Sequence, residues 1–579
     1  MKKYLLMAAA GLMTLTTGCE NFLDTESYTK KNTGNFPSTA TDAENMVTGV
    51  YSVLNIVTTD YNSSNFFVSE LASDDRFGGG GSNDKHFTGL GHLLNYGTDA
   101  LKPAWTDYYK GVYRANMALE TIDQCASEIS EDQMNNYKGQ LHFLRAYYFN
   151  EMAELWGTFP LTLKTESENL PKAEPAAIYG QIGYDLKKAI ELLPSTNYAQ
   201  TTSGRVTKWA AEAMMARVFL FYTGFYQTAD MPLGDGTGTN AGTVTKNEVI
   251  NWIDDCVNNS GHSLVDDFRR LWPYSNQYTA SHYDYVKDLY DAGKYWYADG
   301  ENPEQIWNIK MSSMATWDGF PNGAVGYSNQ LALAFGVRAP GNGEAATYPL
   351  GKGWGAGPVS SNLWNDWKEA EPNDPRREAS IADIATEYPE YAQGADRQVE
   401  DSNFWQKKVV ATQAYDEQGN RKNVFGSVMF GRTDDDMALG HVQDLCVIRF
   451  ADVLLMQSEL KQNADGMNKV RARVGLTPVS YSLEALQQER RFELAFEGRR
   501  WADIRRWHIA EQCLERSVGA PIYNQGILTE MKEFGSGYAN RYKETKGFFK
   551  IPESEIDLSN GVLVQNEGWT GTDSNFTGW

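Results

Sequence analysis

The strongest constraint on the fold is a long stretch with helical periodicity. In the segment DQMNNYKGQLHFLRAYYFNEMAELWG, large apolar residues recur at steps of three and four, namely Met134, Tyr137, Leu141, Leu144, Tyr148, Met152 and Leu155. This spacing places them on one face of a long α-helix, and Gly157 and Pro160 predict where that helix ends. A helix with such a face needs neighbouring helices or a sheet to cover it.

Further helical segments lie on both sides of the middle of the chain. The segment VTKWAAEAMMARVFLFYTG carries small residues that allow a neighbour to approach closely, namely Ala210, Ala211, Ala213 and Ala216. After residue 440, helical patterns return in VIRFADVLLMQSEL, DGMNKVRARVGL and SLEALQQERRFELAFEGRRWADIRRW. Helices paired through brief turns predict a mainly α fold, a superhelix of tetratricopeptide-like helix pairs.

The middle of the chain has a different character. Residues 225–440 are rich in Gly, Asn, Asp and Tyr, with weak periodicity and many turn signals. Nine of the 16 tryptophans fall in this range. We therefore predict one domain over residues 41–579, with a helical scaffold at about 41–224 and 441–579. A loop-rich, ligand-binding insertion at about 225–440 interrupts it.

The N-terminus has the pattern of an export signal. Lys2 and Lys3 precede a short apolar run over residues 4–15, and Gly18 and Cys19 follow it. This pattern predicts a signal peptide at 1–18. The Gly-Cys pair resembles a bacterial lipobox, in which the thiol of Cys19 is lipidated and residues 19–40 form a tether. The alternative is an ordinary exported protein whose cysteine has no role.

Composition and motifs argue against several classes of function. The net charge of −23 repels phosphate backbones, so nucleic acid is not an expected partner. The four later cysteines form no CxxC pair, and the histidines show no helical ligand spacing, so we expect no metal and no cofactor. Motifs of metalloproteases, serine hydrolases and phosphate loops are absent. Catalytic carboxylates from distant segments remain open on sequence alone.

Six segments together resemble the SusD/RagB family of outer-membrane nutrient-binding lipoproteins. They are LRAYYFNEMAELWGTFPL, GRVTKWAAEAMMARVFLF, VIRFADVLLMQSE, NKVRARVGL, ERRFELAFEGRRWADIRRW and FKIPESEIDLSNGVLVQNEGW, in that order along the chain. The resemblance implies four tetratricopeptide-like helix pairs with a ligand-binding insertion, and binding without cleavage. It also implies a SusC-like TonB-dependent outer-membrane barrel as partner, and a lipid-anchored position on the outer membrane that faces the cell exterior.

One charged segment has two interpretations. Glu489, Glu493 and Glu497 are four residues apart, beside Arg490, Arg491 and Arg500. Clustered carboxylates can perform acid–base chemistry, but they also form ion-pair networks that fix packing. Because large apolar residues alternate with these charges, we favour the structural interpretation.

Sugar recognition suggests two candidate sites. A sugar ring needs an aromatic surface for its C–H face and planar polar groups for its hydroxyls. Asp74, Asp75 and Arg76 precede four glycines, and the resemblance places the family's polar ligand contacts in about this region.

The second candidate site lies in the insertion. Trp354 is flanked by glycines that give it little local cover, and Trp317 and Tyr327 are further candidates. For any one ring, a loop anchor packed inward is the alternative. Trp364 and Trp367 fall on a predicted helix and are expected to be core residues.

The predicted function is therefore cell-surface glycan binding and delivery to a SusC-like transporter, without catalysis. One alternative keeps this role with a peptide ligand. Another is a surface lipoprotein that acts as a glycoside hydrolase.

Overall fold

The structure is a computed structural model that describes residues 36–96, 99–298, 302–313, 315, 328–432, 434–571, 574–576 and 578–579. The predicted signal peptide and Cys19 lie outside the described residues, so both stay predictions. The first described helix begins at Ala40, the last residue of the predicted tether.

Helices dominate the described part of the chain, as the sequence predicts. The α-helices are α1 Ala40–Thr59, α2 Asn65–Ala72, α3 Lys85–Gly91, α4 Lys102–Thr121, α5 Glu131–Trp156, α6 Pro175–Leu192, α7 Lys208–Phe225, α8 Lys246–Asn259, α9 Gln277–Ala280, α10 Lys287–Asp291, α11 Gln330–Ala334, α12 Ser361–Ala370, α13 Pro375–Ser380, α14 Ile384–Glu387, α15 Phe425–Met429, α16 Phe450–Lys461, α17 Asp465–Arg473, α18 Leu483–Glu493, α19 Arg500–Arg506, α20 Ala510–Glu515, α21 Tyr538–Thr545 and α22 Glu553–Leu558. Short 3-10 helices cover Ile122–Cys125, Tyr198–Gln200, Phe268–Leu271, Pro273–Ser275, Asp284–Val286, Glu344–Thr347 and Ala395–Arg397.

The longer helices pack as successive pairs. Helix α1 packs on α4, α5 on α6, α7 on α8, and α16 on α17. Neighbouring pairs are joined because α4 contacts α5, α6 contacts α7, and α16 contacts both α7 and α8. This stacking of helix pairs confirms the mainly α, tetratricopeptide-like fold class.

Helix α5 explains why the pairs stack. It begins after Ser130, whose side chain accepts a hydrogen bond from the Gln133 amide, and it ends at Gly157, which has a positive φ of 70°. The apolar residues of the predicted face are all buried, and Phe143, Tyr147 and Phe149 on other faces are buried too. A helix that is covered on several sides must have helices around it, which here are α1, α4 and α6.

The described strands are short and pair two by two. They are β1 Met231–Gly234, β2 Asn240–Val244, β3 Gln305–Ile309, β4 Val337–Arg338, β5 Lys352–Gly353, β6 Ile381–Asp383, β7 Phe404–Gln406, β8 Ala414–Tyr415, β9 Arg421–Lys422, β10 Leu445–Arg449, β11 Pro521–Asn524 and β12 Ile527–Glu530. Strands β4 and β5 pair in parallel, whereas β1–β2, β3–β10, β6–β7, β8–β9 and β11–β12 are antiparallel. In the β3–β10 pair, Ile309 lies opposite Leu445, which joins the insertion to the strand that leads into α16.

The insertion and the scaffold are less separate than the sequence suggests. Helix α8, at Lys246–Asn259, lies within the predicted insertion but packs on the scaffold helices α7 and α16. The insertion also has small apolar clusters of its own, one around Trp272 and one around Trp405. The scaffold therefore continues past residue 225, and the irregular part begins after α8.

Candidate ligand-binding site

The two glycine-rich segments that carry the candidate site residues lie side by side. Arg76 pairs with Val359 and Gly79 pairs with Ala356 in antiparallel bridges. The Gly80 amide donates to the carbonyl oxygen of Gly355 at 2.8 Å. We call these segments, residues 76–81 and 353–359, the glycine junction. It brings together two regions that are almost 300 residues apart in sequence.

Close backbone packing explains the glycines of the junction. A Cβ atom on Gly353 would lie 1.9 Å from the carbonyl oxygen of Leu333, and one on Gly79 would lie 2.4 Å from that of Gly355. Gly79 and Gly355 also have positive φ angles of 69° and 71°. The sequence predicts that the glycines around Trp354 leave its ring exposed. The structure shows that they are also needed for contact between backbones.

Trp354 stands at the edge of this junction and is partly buried. Its ring packs against a cluster that contains Ala315, Leu333, Ala438 and Leu439. Its amide donates to the carbonyl oxygen of Leu333 at 3.1 Å. The ring is therefore fixed from below and keeps part of its surface open, which is the arrangement that stacking on a ligand requires.

Arg338 fixes the backbone of Trp354 and adds polar groups beside it. Its Nη1 donates to the carbonyl oxygen of Trp354 at 3.1 Å and to Asp84 Oδ2 at 2.8 Å. Its Nη2 lies 3.2 Å from Asp396 Oδ2. These contacts place charged hydrogen-bonding groups at the backbone carbonyl of Trp354. Sequence reasoning missed Arg338, because its partner carboxylates are 254 and 58 residues away and no local pattern marks it.

Asp74 and Asp75 are buried and have protein partners. Asp74 accepts hydrogen bonds from Arg500 at 2.7 and 2.8 Å, and Asp75 accepts one from Arg491 at 2.8 Å. Burial alone would raise the pKa of Asp74, but the guanidinium groups of Arg500 and Arg491 outweigh it and lower the pKa. These ion pairs attach the start of the junction to α18 and α19.

Arg76 is also buried, with its guanidinium between two aromatic rings. The Cζ atom lies 4.3 Å from the ring centre of Phe335 and 4.6 Å from that of Phe496. It forms an ion pair with Glu70, and Nη1 donates to the carbonyl oxygen of Gly357 at 2.9 Å. The structure thus gives Asp74, Asp75 and Arg76 protein partners, and their predicted ligand contacts stay a prediction.

The other candidate rings have mixed outcomes. Trp317 and Tyr327 lie outside the described residues. Of the described residues on either side, Ala315 belongs to the cluster under Trp354, and Ser328 Oγ donates to the carbonyl oxygen of Ala438 at 2.8 Å. The core prediction is confirmed for Trp367, whose ring is buried and stacks on Phe492 with centres 4.6 Å apart. Trp364 is only partly buried, and its ring stacks on Phe404.

The glutamates of the ERRFELAFEGRR segment form a buried charged network, as the structural interpretation predicts. Glu493 is fully buried and accepts from Arg376 at 2.8 Å, from Arg449 at 2.5 Å and from Arg473. Helix α18 ends at Glu493, so Glu497 lies beyond the helix, where Lys408 Nζ donates to it at 2.7 Å.

Two features are absent from the part of the chain that the structure describes. Among its residues we find no group of three or more histidine, cysteine or carboxylate side chains that could hold a metal ion. We also find no helix in this part of the chain with the length and apolarity needed to span a lipid bilayer.

Comparison with known proteins identifies relatives along most of the chain. A family described as "Starch-binding associating with outer membrane" matches residues 21–220, and the SusD family matches residues 248–569. A SusD-like protein of Formosa agariphila is 24% identical over 540 residues, which cover 85% of this chain and 87% of the relative.

Solved structures of the same fold include two glycan-binding proteins. One is a laminarin binding SusD-like protein, with 23% identity, a TM-score of 0.66, and coverage of 91% of this chain and 99% of that chain. The other is surface glycan-binding protein A from Bacteroides thetaiotaomicron in complex with laminarihexaose, with 19% identity, a TM-score of 0.67, and coverage of 91% and 100%. The SusD family model matches more than half of this chain, and the chain therefore belongs to the SusD/RagB family.

Proposed function

We propose that the protein binds glycans at the cell surface and delivers them to a SusC-like TonB-dependent outer-membrane transporter. Family membership points to binding rather than to catalysis. The observation that carries the proposal is the position of Trp354 at the glycine junction, where its ring is partly open and its backbone carbonyl accepts from the charged Arg338. That combination suits the apolar face and the hydroxyl edge of a sugar.

The proposed site is centred on Trp354, with Arg338, Asp84 and Asp396 as its polar edge. Trp317 and Tyr327 are proposed as further stacking rings. Asp74, Asp75 and Arg76 would support the site, because the ion pairs of the two aspartates connect the junction to α19 and α18. The ion pair of Arg76 with Glu70 connects it to α2.

A panel of immobilised glycans tests the proposal. It should begin with laminarin and laminarihexaose, because two proteins of the same fold are a laminarin binding SusD-like protein and a glycan-binding protein in complex with laminarihexaose. Retention of the protein and release of reducing ends are measured together. Retention without release supports the proposal. Release of reducing ends would instead identify a hydrolase, and retention on a matched peptide panel alone would identify a peptide carrier.

Attachment to the outer membrane through Cys19 is part of the same proposal. A diacylated cysteine gives stable anchoring, because each buried methylene contributes about 0.8 kcal/mol. Cys19→Ala should leave the folded protein unanchored, and labelled palmitate should no longer be incorporated. Wild-type incorporation of the label into the variant would contradict the assignment.

A further inference from the structure

The surface on which the Trp354 ring rests is assembled from three distant parts of the chain. Ala315 follows β3, Leu333 lies on α11, and Ala438 and Leu439 precede β10. These side chains are apolar, so they cannot fix one part against another through hydrogen bonds. The position of the ring therefore depends on how the backbones of the three parts are held together.

Two of the three parts are joined through α11. Ser328 Oγ and Gln330 Nε2, at the start of this helix, donate to the carbonyl oxygen of Ala438 at 2.8 and 2.9 Å. The amide of the tryptophan itself donates to the carbonyl oxygen of Leu333 on the same helix. The ring, α11 and the segment around Ala438 thus form one connected unit, and the remaining part is Ala315.

Arg432, six residues before Ala438, attaches Ala315 to that unit. Its Nη2 donates to the carbonyl oxygen of Ala315 at 3.2 Å, and its Nη1 donates to that of Ser313. Asp434 orients the guanidinium, because its Oδ1 accepts from Nε and its Oδ2 accepts from Nη2, both at 3.0 Å. The side chain of Arg432 is only 8% exposed. A planar guanidinium can bind two carbonyl groups and a carboxylate at once, whereas a lysine ammonium cannot reproduce that geometry.

The segment that carries Arg432 is itself anchored. Ser427 Oγ, on α15, donates to the carbonyl oxygen of Asp434 at 3.0 Å. The carboxylate of Asp435 accepts from the amide of Asn423 at 2.9 and 3.0 Å. Arg432 therefore acts from a fixed point, and a loss of its hydrogen bonds should release the residues that it holds.

We propose that Arg432 is a positioning residue for the Trp354 ring. By holding Ala315 in the apolar base, it fixes how the ring lies and which part of its surface stays open to a ligand. Its effect on the ring is independent of any ligand, whereas its effect on affinity rests on the proposed glycan site. The alternative is a general loop anchor, which would contribute to stability without affecting the ring.

Fluorine NMR of protein labelled with fluorotryptophan follows the ring directly. The Trp354 signal is the one that disappears in Trp354→Ala. Arg432→Ala should shift or broaden this signal, because the base under the ring is released. Arg270 supplies the matched control, because it also pairs with an aspartate, at 2.6 Å, and donates to a backbone carbonyl at 2.9 Å. It lies over the Tyr297 ring in the cluster around Trp272, so Arg270→Ala should leave the Trp354 signal in place.

Titration calorimetry with laminarihexaose tests what the position of the ring contributes to binding. We expect Arg432→Ala to weaken binding about fivefold in the wild-type background. The same substitution should cause no further loss in the Trp354→Ala background, because Arg432 acts through the ring that it positions. Arg432→Lys should fall between Arg432→Ala and wild type, since one ammonium group can keep only part of the contacts.

A second variant carries the test if Arg432→Ala does not fold. Asp434 is half-exposed, so Asp434→Ala should fold, and it should shift the Trp354 signal because the guanidinium loses its orientation. An unchanged signal in folded variants, or an equal loss of affinity in both backgrounds, would overturn the inference. If wild type bound no laminarihexaose, the proposed function would lose support for that glycan, and the fluorine signal would still decide the role of Arg432.

Discussion

The charged network around Glu493 and the glycine junction around Trp354 join distant segments by opposite means. In the network, long arginine side chains from β10, α13 and α17 reach one buried carboxylate. In the junction, the absence of side chains lets two backbones touch. The charged network depends on ion pairs, and the glycine junction depends on the absence of Cβ atoms between the two backbones. Each should therefore be sensitive to a change that the other tolerates.

Removing the central carboxylate of the network should have the largest effect. Burial alone would raise the pKa of Glu493, but Arg473, Arg449 and Arg376 lower it well below the usual value. Glu493→Ala leaves these arginines without their shared partner, at a cost of about 3–5 kcal/mol in unfolding free energy. Urea unfolding measures this loss.

A matched control for this variant lies on the same helix. Glu484 is exposed near the start of α18, and Glu484→Ala should change the unfolding free energy by less than about 0.5 kcal/mol. Glycan affinity of the folded Glu493→Ala protein should match wild type. If Glu493→Ala instead kept wild-type stability and lost glycan binding, Glu493 would be a ligand-binding residue and not a structural one.

Adding one methyl group to the junction should have the next largest effect. Gly353 lacks a positive φ, so Gly353→Ala tests packing alone, with a Cβ only 1.9 Å from the Leu333 carbonyl oxygen. The backbones at Gly353 and Leu333 must then separate. We expect this to lower the unfolding free energy by about 3 kcal/mol and to displace the Trp354 ring. Gly242 has open space around it, so Gly242→Ala is the control. Equal unfolding midpoints for the two variants would refute the close-packing account.

The two regions also differ in how far the sequence predicts them. Helix α5 can be predicted from the spacing of the apolar residues from Met134 to Leu155, because residues on one helical face are close together in sequence. The pairing of residues 76–80 with 355–359 does not follow, because the two segments are far apart in the chain and a glycine gives no signal of what it touches. The position of Arg338 does not follow from the sequence for the same reason, whereas tryptophan between glycines is a local pattern that makes Trp354 a candidate.

Acid should weaken the scaffold through Asp185, which is buried between α5 and α6. Burial alone would raise its pKa, but Arg145 and His142 lower it to about 2. A lowered carboxyl pKa stabilises the folded state above the unfolded value of about 3.9, and this contribution disappears as pH falls through 2. The unfolding free energy should fall by about 2.5 kcal/mol when this contribution is lost.

Urea unfolding of wild type and Asp185→Asn at pH 5 and pH 2 measures this contribution. The variant should be less stable at pH 5 and much closer to wild type at pH 2, because the carboxyl is then almost fully protonated in the unfolded state and about half protonated in the folded state. Asp132→Asn, at an exposed position on α5, should follow wild type at both values. If wild type and Asp185→Asn differed in stability by the same amount at pH 2 as at pH 5, the ion pairs of Asp185 would not be the cause of the difference.

The smallest expected effect is the loss of glycan affinity when Trp354 is replaced by alanine. Because its ring is partly buried, only part of it is open for stacking, and Trp354→Ala should weaken binding of the cognate glycan about tenfold, or about 1.4 kcal/mol. Trp252 and Trp354 are both partly buried against the large core cluster, but Trp252 lies on α8, outside the glycine junction, so Trp252→Ala should lower stability and leave affinity unchanged. Titration calorimetry and thermal unfolding of both variants separate the two outcomes. If both lose stability and neither loses affinity, Trp354 is a packing residue like Trp252, and the ligand must stack on another ring.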